Sequence, residues 1–344
     1  NAIDAGARHI DIDIENGGID SIRISDDGNG IAFDELPLAV THHATSKIAS
    51  VDDLNHIMTL GFRGEALASV ADVSRLEIIS RAADADTGGR IIVEGGAVKE
   101  HMPSPSNAGT TISVRNLFYN LPARLKFLKQ PSKELIAVKE IVEGNILRYH
   151  STAFRFASNG EESYNCAAQE SREGRIRDLL GTGIASHLIR FTADGAFFSI
   201  EGYVSDAHLT QGSRRNAFIF VNGRAVESRN FAFNVKSAYD GVIPRDRFPY
   251  YYLYVTVDTE KVDVNVHPSK REVRIKNESE ISSLLYHSVR EAVSGSARAF
   301  HVSENPAAAV ERTSDLTFTN EDTPPEHEQA APAVFPLHTA PQPI

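Results

Sequence analysis

Residues 7–14, "ARHIDIDI", alternate apolar and polar side chains, and "DSIRISDD", "RLEIISRA" and "GRIIVEGG" do so less strictly. Period-two alternation predicts half-buried strands with one covered face. Between them "FDELPLAVTHHA", "SVDDLNHI" and "EALASVADV" carry helical spacing, with Ser50 or Asp52 as plausible caps. A long amphipathic helix is predicted at about 132–149, with Leu135, Val138, Ile141, Val142 and Ile146 on one face. The opening "NAIDAGA" reads as the last turn of a helix closed by Gly6. Strands and helices mixed in this way predict an α/β sandwich, built on a sheet with helices against it.

A second unit begins near residue 183. "AFFSIEGYVSD", "NAFIFVNGRAVES" and "YYYLYVTVDTEKVDVNVHP" are long, β-branched and aromatic, and the middle one turns at Asn222-Gly223. "NFAFNVKSAYDGV" and "ESEISSLLYHSVREAVSGSA" supply helices, completing a second α/β domain. The expected division is 1–182, 183–302 and a tail, 303–344.

Composition changes this picture in one place. The net charge of −11 argues against a nucleic-acid binder until it is divided along the chain. Ser303 to Ile344 holds seven acidic residues, one basic residue and seven of the 15 prolines, so it carries −6 of that charge. Such a segment reads as an acidic disordered linker. The body is then only mildly acidic, and local basic patches matter more than the total. Apolar content of 41% is that of an ordinary globular protein, and no apolar run approaches a membrane span, so no membrane role is expected. One cysteine, Cys166, excludes an internal disulfide and any multi-cysteine zinc site, and a reducing, cytoplasmic setting is expected.

Four stretches carry candidate chemistry. In "SDDGNGIAFDEL" a strand ends on Asp26, while Gly28 and Gly30 bring backbone close to whatever binds there. A carboxylate at a strand end can accept from an exocyclic amine such as adenine N6; a lone DxGxG is nevertheless more often a plain turn. "THHATSKI" gathers Thr45, Ser46 and Lys47, two hydroxyls and an ammonium suited to phosphate or ribose, or else a helix cap with a solvated lysine. In "LGFRGEALASVADV", Gly61 and Gly64 bracket Phe62 and Arg63 before a helix starting near Glu65. Its unpaired N–H groups suit an anion, though a simple N-cap loop has the same look. "NAGTTISVRNLFYNLPARLKFL" opens a strand at Gly109-Thr110-Thr111, where Thr111 could donate to an adenine edge or a neighbouring Asp, and ends in a basic loop or helix start. No GK[ST] occurs, so there is no P-loop.

In order and spacing, DDGNGI, HATSKI, GFRGEAL, GTT and FYN-PAR-KF closely resemble the MutL family of DNA mismatch-repair ATPases, within the GHKL group. "VNGRAVES" and "VDVNVHPSKREVRI" extend the resemblance over about 1–300. It implies a GHKL-type sandwich of mixed sheet and helices, then a second domain of ribosomal-protein-like βαβ type. It implies ATP and Mg²⁺ as ligands, with Asp26, Gly28, Gly30 and Thr111 around adenine, and Thr45, Ser46 and Lys47 near ribose and phosphates. Backbone N–H groups of Gly61, Phe62, Arg63, Gly64, Glu65, Ala66 and Leu67 would wrap the triphosphate. Lys270, from "VNVHPSK", would reach the γ-phosphate, against the alternative of a DNA-facing basic loop.

In the same family an E-x-x-x-N helix turn precedes DxGxG. Its Asn, here Asn1, holds Mg²⁺; its general-base Glu would lie four residues before Asn1. The expectation is a piece of a longer product whose own hydrolysis is impaired. The full-length protein is expected to be a dimerising ATP-operated clamp acting in the bacterial cytoplasm and at the nucleoid. It would bind mismatched or non-specific DNA, single- or double-stranded, and couple a mismatch-recognition protein to downstream repair factors. Arg224 and Arg229 are the candidate DNA-phosphate contacts, with ordinary surface arginines as the alternative. The competing classes are another GHKL machine, such as a topoisomerase subunit or chaperone, and a module that binds nucleotide without hydrolysis. Measuring ATP turnover separately from ATP binding discriminates the last.

Overall fold

The computed structural model describes residues 1–42, 66–263 and 274–303. Two sheets lie within one compact unit, Asn1–Val302. The larger has eight strands: β1 (His9–Glu15), β2 (Ser21–Asp26), β3 (Arg75–Arg81), β4 (Gly88–Glu94), β5 (Ala97–Ser104), β6 (Gly109–Arg115), β7 (Ala153–Ser158) and β8 (Glu161–Cys166). Their order is β5-β4-β3-β6-β2-β1-β7-β8, antiparallel except for the parallel pair β1 and β7. The alternation in the sequence becomes two faces. Ile10, Ile12 and Ile14 of β1 point into an apolar cluster, while Asp13 pairs with Arg23 and Arg155 on the other side.

Helices cover the apolar face. Short α1 (Leu36–Ala39) and α2 (Ala66–Asp72) give Leu36 and Ala71 to a cluster with Leu76, Ile78, Ile91 and Val93. The four-residue α3 (Pro122–Leu125) leads to α4 (Pro131–Arg148), whose Val142 and Ile146 pack with Ile10, Ile14, Phe154 and Phe156. Proline in the first turn of α4 suits a position whose N–H has no intrahelical partner. The helix matches the expected span, but Ile141, assigned to its buried stripe, is 53% exposed. One residue before Val142 it stands about 100° around the axis from that row. The basic "PARLKFLK" stretch becomes α3 and a turn, with Phe127 exposed.

The chain then runs through α5 (Arg172–Leu180), capped by Ser171 accepting from the Gly174 N–H, and α6 (Thr182–Ala185) into the second sheet. Strands β9 (Leu188–Asp194), β10 (Phe198–Ser205), β12 (Ala217–Val221), β13 (Arg224–Ala225) and β15 (Tyr251–Val257) pair in the order β13-β12-β15-β10-β9. The two-residue strands β11 (Thr210–Gln211) and β14 (Phe248–Pro249) form a separate ladder, as do β16 (Val262–Asp263) and β17 (Arg274–Ile275). Helices α7 (Arg229–Ala238) and α8 (Glu278–Ser303) cover one face through Phe231, Val235, Ile281, Leu285 and Val289. The expected hairpin turn at Asn222-Gly223 is present, with φ of 46° and 71°. The expected run from Tyr250 to Pro268 is not one strand: a 3₁₀ turn, Thr259–Lys261, separates β15 from β16. The mixed α/β class and the second α/β domain are as the sequence pattern implies.

Helices α4 and α5, which lie against the large sheet, also pack on the second one. Leu147 of α4 and Ile176 of α5 join Tyr203, Phe220, Tyr252 and Tyr254 in one cluster, and the Tyr254 hydroxyl donates to Leu147 O at 3.0 Å.

Candidate functional site

The apolar cover of the large sheet is divided. One cluster lies over β3, β4 and β6 and the other over β2, β1 and β7, so the two meet above the β6/β2 pair. At the end of that pair stands Asp26. It is level with Thr110 of β6 and Ile10 of β1, and shares the helix-covered face with Ile22 and Ile24.

The two adjacent acids of "SDDG" have different surroundings. Asp27 is tied to the start of β1: its Oδ1 accepts from the Arg8 and His9 N–H groups at 2.7 and 2.8 Å, and its Oδ2 lies 2.7 Å from His9 Nδ1. Burial works to raise the Asp27 carboxyl, but these hydrogen bonds outweigh it and hold the group below its ordinary value. Asp26 goes the other way. Its burial is the larger influence and raises it, against the lowering effect of the Gly28 N–H, which donates to Oδ1 at 3.0 Å, and of the Thr110 N–H. Asp26 is thus the less solvated carboxylate and the one aimed at the gap between the clusters.

Around it the backbone closes to distances only glycine permits. A Cβ at Gly28 would lie 2.9 Å from the Ala5 Cβ and carbonyl oxygen. At Gly30 (φ 72°) it would overlap the Arg81 carbonyl, and at Gly109 (φ 114°) the Asp26 carbonyl. The N-terminal turn completes the rim: Ala5 N–H donates to Asn1 O at 2.9 Å, Asn29 N–H to Ala5 O at 2.9 Å, and Gly6 ends the turn at φ 74°. Asn1, Asp26, Gly28 and Gly30 therefore belong to one constellation.

Thr111 does not join it. Thr111 stands opposite Ser25, and their hydroxyls lie 2.8 Å apart on the face away from Asp26. The threonine on Asp26's side is Thr110, which is buried with its hydroxyl 2.9 Å from Ser80 Oγ. Ser80 donates to Gly109 O and accepts from the Ile31 N–H, so its single proton is used and Thr110 must donate to it. The Thr110 oxygen keeps its lone pairs on Asp26's face. Sequence reasoning passed over Thr110 because in Gly109-Thr110-Thr111 only the register with β2 tells which threonine faces in.

Ala66 and Leu67 open α2, with Ala66 exposed. Thr45, Ser46, Lys47, Gly61, Phe62, Arg63, Gly64, Glu65 and Lys270 lie outside the described residues, as do the predicted helix at 50–57 and the tail. Arg229 is exposed at the start of α7, whereas Arg224, in β13 after the Asn222-Gly223 turn, is only partly exposed.

Two clefts elsewhere compete poorly. One of about 440 Å³ is lined by Asn230, Asn234, Ser279, Ser282, Ser283 and Tyr286, without a charged group. The other, about 400 Å³, contains Arg172, Arg190 and Glu201, but Glu201 already accepts from both arginines and from the Tyr203 hydroxyl. Among the described residues no group of three His, Cys, Asp or Glu side chains could hold a metal, and no helix is long and apolar enough to cross a membrane.

Comparison with known proteins bears on the family and the fold. Residues 1–107 match the family model for histidine kinase-, DNA gyrase B- and HSP90-like ATPases, and residues 176–294 match that for the DNA mismatch repair protein C-terminal domain. The chain is 43% identical over 294 residues to the DNA mismatch repair protein MutL of Xanthomonas campestris pv. campestris strain B100, covering 85% of this chain and 47% of that protein. It is 42% identical over 291 residues to MutL of Xylella fastidiosa strain M12, covering 84% and 47%. The chain thus spans about half the length of the relatives it matches. Among solved structures, the N-terminal domain of a DNA repair protein superposes with a TM-score of 0.74 at 24% identity, covering 87% of this chain and 93% of that one. The Aquifex aeolicus MutL ATPase domain complexed with ADP gives 0.57 at 23%, covering 83% and 92%. At such identity the superpositions establish the fold.

Proposed function

This chain belongs to the MutL family of DNA mismatch-repair proteins, and from that premise we propose that it binds ATP beside Asp26 and uses the occupied site to control DNA-bound repair assemblies. The observation that carries the reading is the Asp26 constellation: a half-buried strand-end carboxylate on the helix-covered face, ringed by Gly28, Gly30 and Gly109, none with room for a Cβ. The Gly28 N–H takes one lone pair of Oδ1, and the carboxylate keeps further lone pairs with which it would accept from the exocyclic amine of adenine. Guanine offers a carbonyl at that place, so carboxylate and base would repel. Thr110 replaces Thr111 as the threonine assigned to the base.

The phosphates would run from there towards Asn1 and the start of α2, where the N–H groups of 61–67 would surround them, with Thr45, Ser46 and Lys47 nearby and Lys270 at the γ-phosphate. Magnesium fits this arrangement. It keeps several waters and binds mainly through substrate phosphate oxygens, with one or two protein oxygen ligands. The Asn1 amide oxygen is the proposed protein ligand. The bound ion would neutralise phosphate charge during ATP hydrolysis by the whole protein.

Residues 1–182 are assigned to nucleotide binding and 183–302 to transmission, with Arg229 as a DNA-phosphate contact. Dimerisation on ATP, the cytoplasmic setting, and a mismatch-recognition protein and later repair factors as partners belong to the same proposal. The test is nucleotide binding with Mg²⁺ present. ATP is expected to bind more tightly than GTP, and Asp26→Ala to abolish the difference while leaving the melting temperature close to wild type. Equal binding of both nucleotides by the wild-type chain would sink the assignment.

A further inference from the structure

One row of neighbouring residues across the large sheet breaks its apolar face. Ile78, Ile112, Ile24 and Ile12 stand side by side on β3, β6, β2 and β1. Two residues further along, at the strand ends, the same four strands place Ser80, Thr110, Asp26 and Ile10. Ser80 continues the buried row of Leu76 and Ile78 and is itself fully buried. An apolar side chain would satisfy such a position, and a hydroxyl there costs stability unless it is hydrogen-bonded.

Ser80 uses its whole hydrogen-bonding capacity. Its oxygen accepts from the Ile31 N–H at 2.8 Å, and its proton goes to Gly109 O at 2.9 Å. The remaining lone pair takes the Thr110 proton, with 2.9 Å between the oxygens. One side chain thus holds the loop after Gly30, the opening of β6 and the threonine beside Asp26. The Ala83 N–H donates to Asn29 O at 3.0 Å and ties the same loop on the other side of Gly30. The protons of this network all point one way. Thr110 donates to Ser80 and Ser80 to Gly109 O, so neither hydroxyl has a proton left for a ligand. Two acceptors remain towards the base, the Thr110 oxygen and the Asp26 carboxylate.

We propose that Ser80 is a specificity-determining positioning residue of the base site. By taking the Thr110 proton it makes that edge of the site acceptor-only, which selects a purine with an exocyclic amine over one with a carbonyl. The inference rests on the nucleotide reading above and adds the source of its base selectivity. A threonine without this tie could rotate its hydroxyl and donate to a carbonyl, offsetting the repulsion from Asp26. Ser80 removes that option.

The experiment is equilibrium titration of the 344-residue chain with ATP and with inosine triphosphate, each with Mg²⁺. Inosine carries a carbonyl where adenine carries its amine. The wild-type chain is expected to bind ATP about a hundredfold more tightly. Ser80→Ala should narrow that ratio about tenfold, chiefly by tightening inosine triphosphate, because the freed Thr110 proton can meet the carbonyl. Ser80→Thr, which keeps the hydroxyl, should restore the wild-type ratio. In a Thr110→Val background Ser80→Ala should leave the ratio unchanged, since Ser80 acts through that hydroxyl. Thermal melting accompanies each titration, and if Ser80→Ala melts too early, Ser80→Cys, a poorer acceptor of similar size, takes its place. An equal loss for both nucleotides, or a changed ratio in the Thr110→Val background, overturns this inference and leaves the nucleotide site standing. A wild-type chain that binds the two nucleotides equally, or binds neither, overturns the nucleotide reading itself.

Discussion

Replacing Thr110 or Thr111 by valine separates two readings of one dipeptide. Valine keeps the shape and β-propensity of threonine and removes only the hydroxyl. At Thr110 the loss is one buried hydrogen bond to Ser80, which keeps Gly109 O and the Ile31 N–H as partners, so no group is stranded. The expected stability cost is about 1 kcal/mol. For a domain of this size that lowers the melting temperature by about 2 °C. At Thr111 the loss is the half-buried hydroxyl pair with Ser25, whose oxygen can turn to water, and the cost is about 0.5 kcal/mol. Stability therefore barely distinguishes the two, and nucleotide affinity should. Thr110→Val removes a polar group on Asp26's face and is expected to weaken ATP about tenfold, equivalent to about 1.4 kcal/mol. Thr111→Val should leave affinity within about twofold, since its hydroxyl lies behind the sheet. The assay is calorimetric or fluorescence titration at a temperature where both variants are fully folded. A Thr111→Val loss as large as that of Thr110→Val would refute the placement of the base on the helix-covered face.

Three further outcomes follow from the same geometry. Gly30→Ala and Gly109→Ala should each cost several kcal/mol or prevent folding, because the new methyl meets a backbone carbonyl. Gly6→Ala, at a similar positive φ but with nothing within 4 Å, should cost only the backbone strain of about 1 kcal/mol; chemical denaturation compares them. The lowered Asp27 carboxyl adds stability that is present above its unfolded pKa and is lost as pH falls through its lower folded value. Asp27→Asn should accordingly flatten the acid limb of a melting-temperature profile, and an unchanged limb would exclude Asp27 as its source. Arg175 is fully buried, with Nη2 donating to the His150 and Thr152 carbonyls. Arg175→Met should destabilise by about 2–4 kcal/mol in urea unfolding, by leaving those acceptors unpaired.

Much of this was legible in the sequence, and the parts that were not share a cause. The alternation of Ile10, Ile12 and Ile14 with charged neighbours states which face of β1 is covered, and the structure keeps it. Asp26 and its glycines are readable because a strand pattern ends there. Local pattern could not choose between Thr110 and Thr111, since the answer lies in pairing with a strand more than eighty residues away. Arg148 looks like an ordinary cation in the last turn of a helix, and only the docking of the Asn222-Gly223 turn makes it an interdomain group. The hydrophobic pattern does not predict β5, because that strand is exposed over nearly its whole length and has no inner face to alternate with.

The parallel pairing of β1 with β7 also sets an order of events during synthesis. His9 lies beside Ala153, so the inner strand of the hairpin formed by β1 and β2 has no partner on one side until the ribosome has made some 144 further residues. At about 5–20 residues per second, that interval is roughly 7–30 seconds. For most of it the apolar row Ile10, Ile12 and Ile14 has neither α4 to cover it nor β7 beside it. The nascent chain thus carries a sticky half-sheet until α4 and β7 are made. A chaperone that binds apolar strands in that interval would cover the very ones that later frame Asp26.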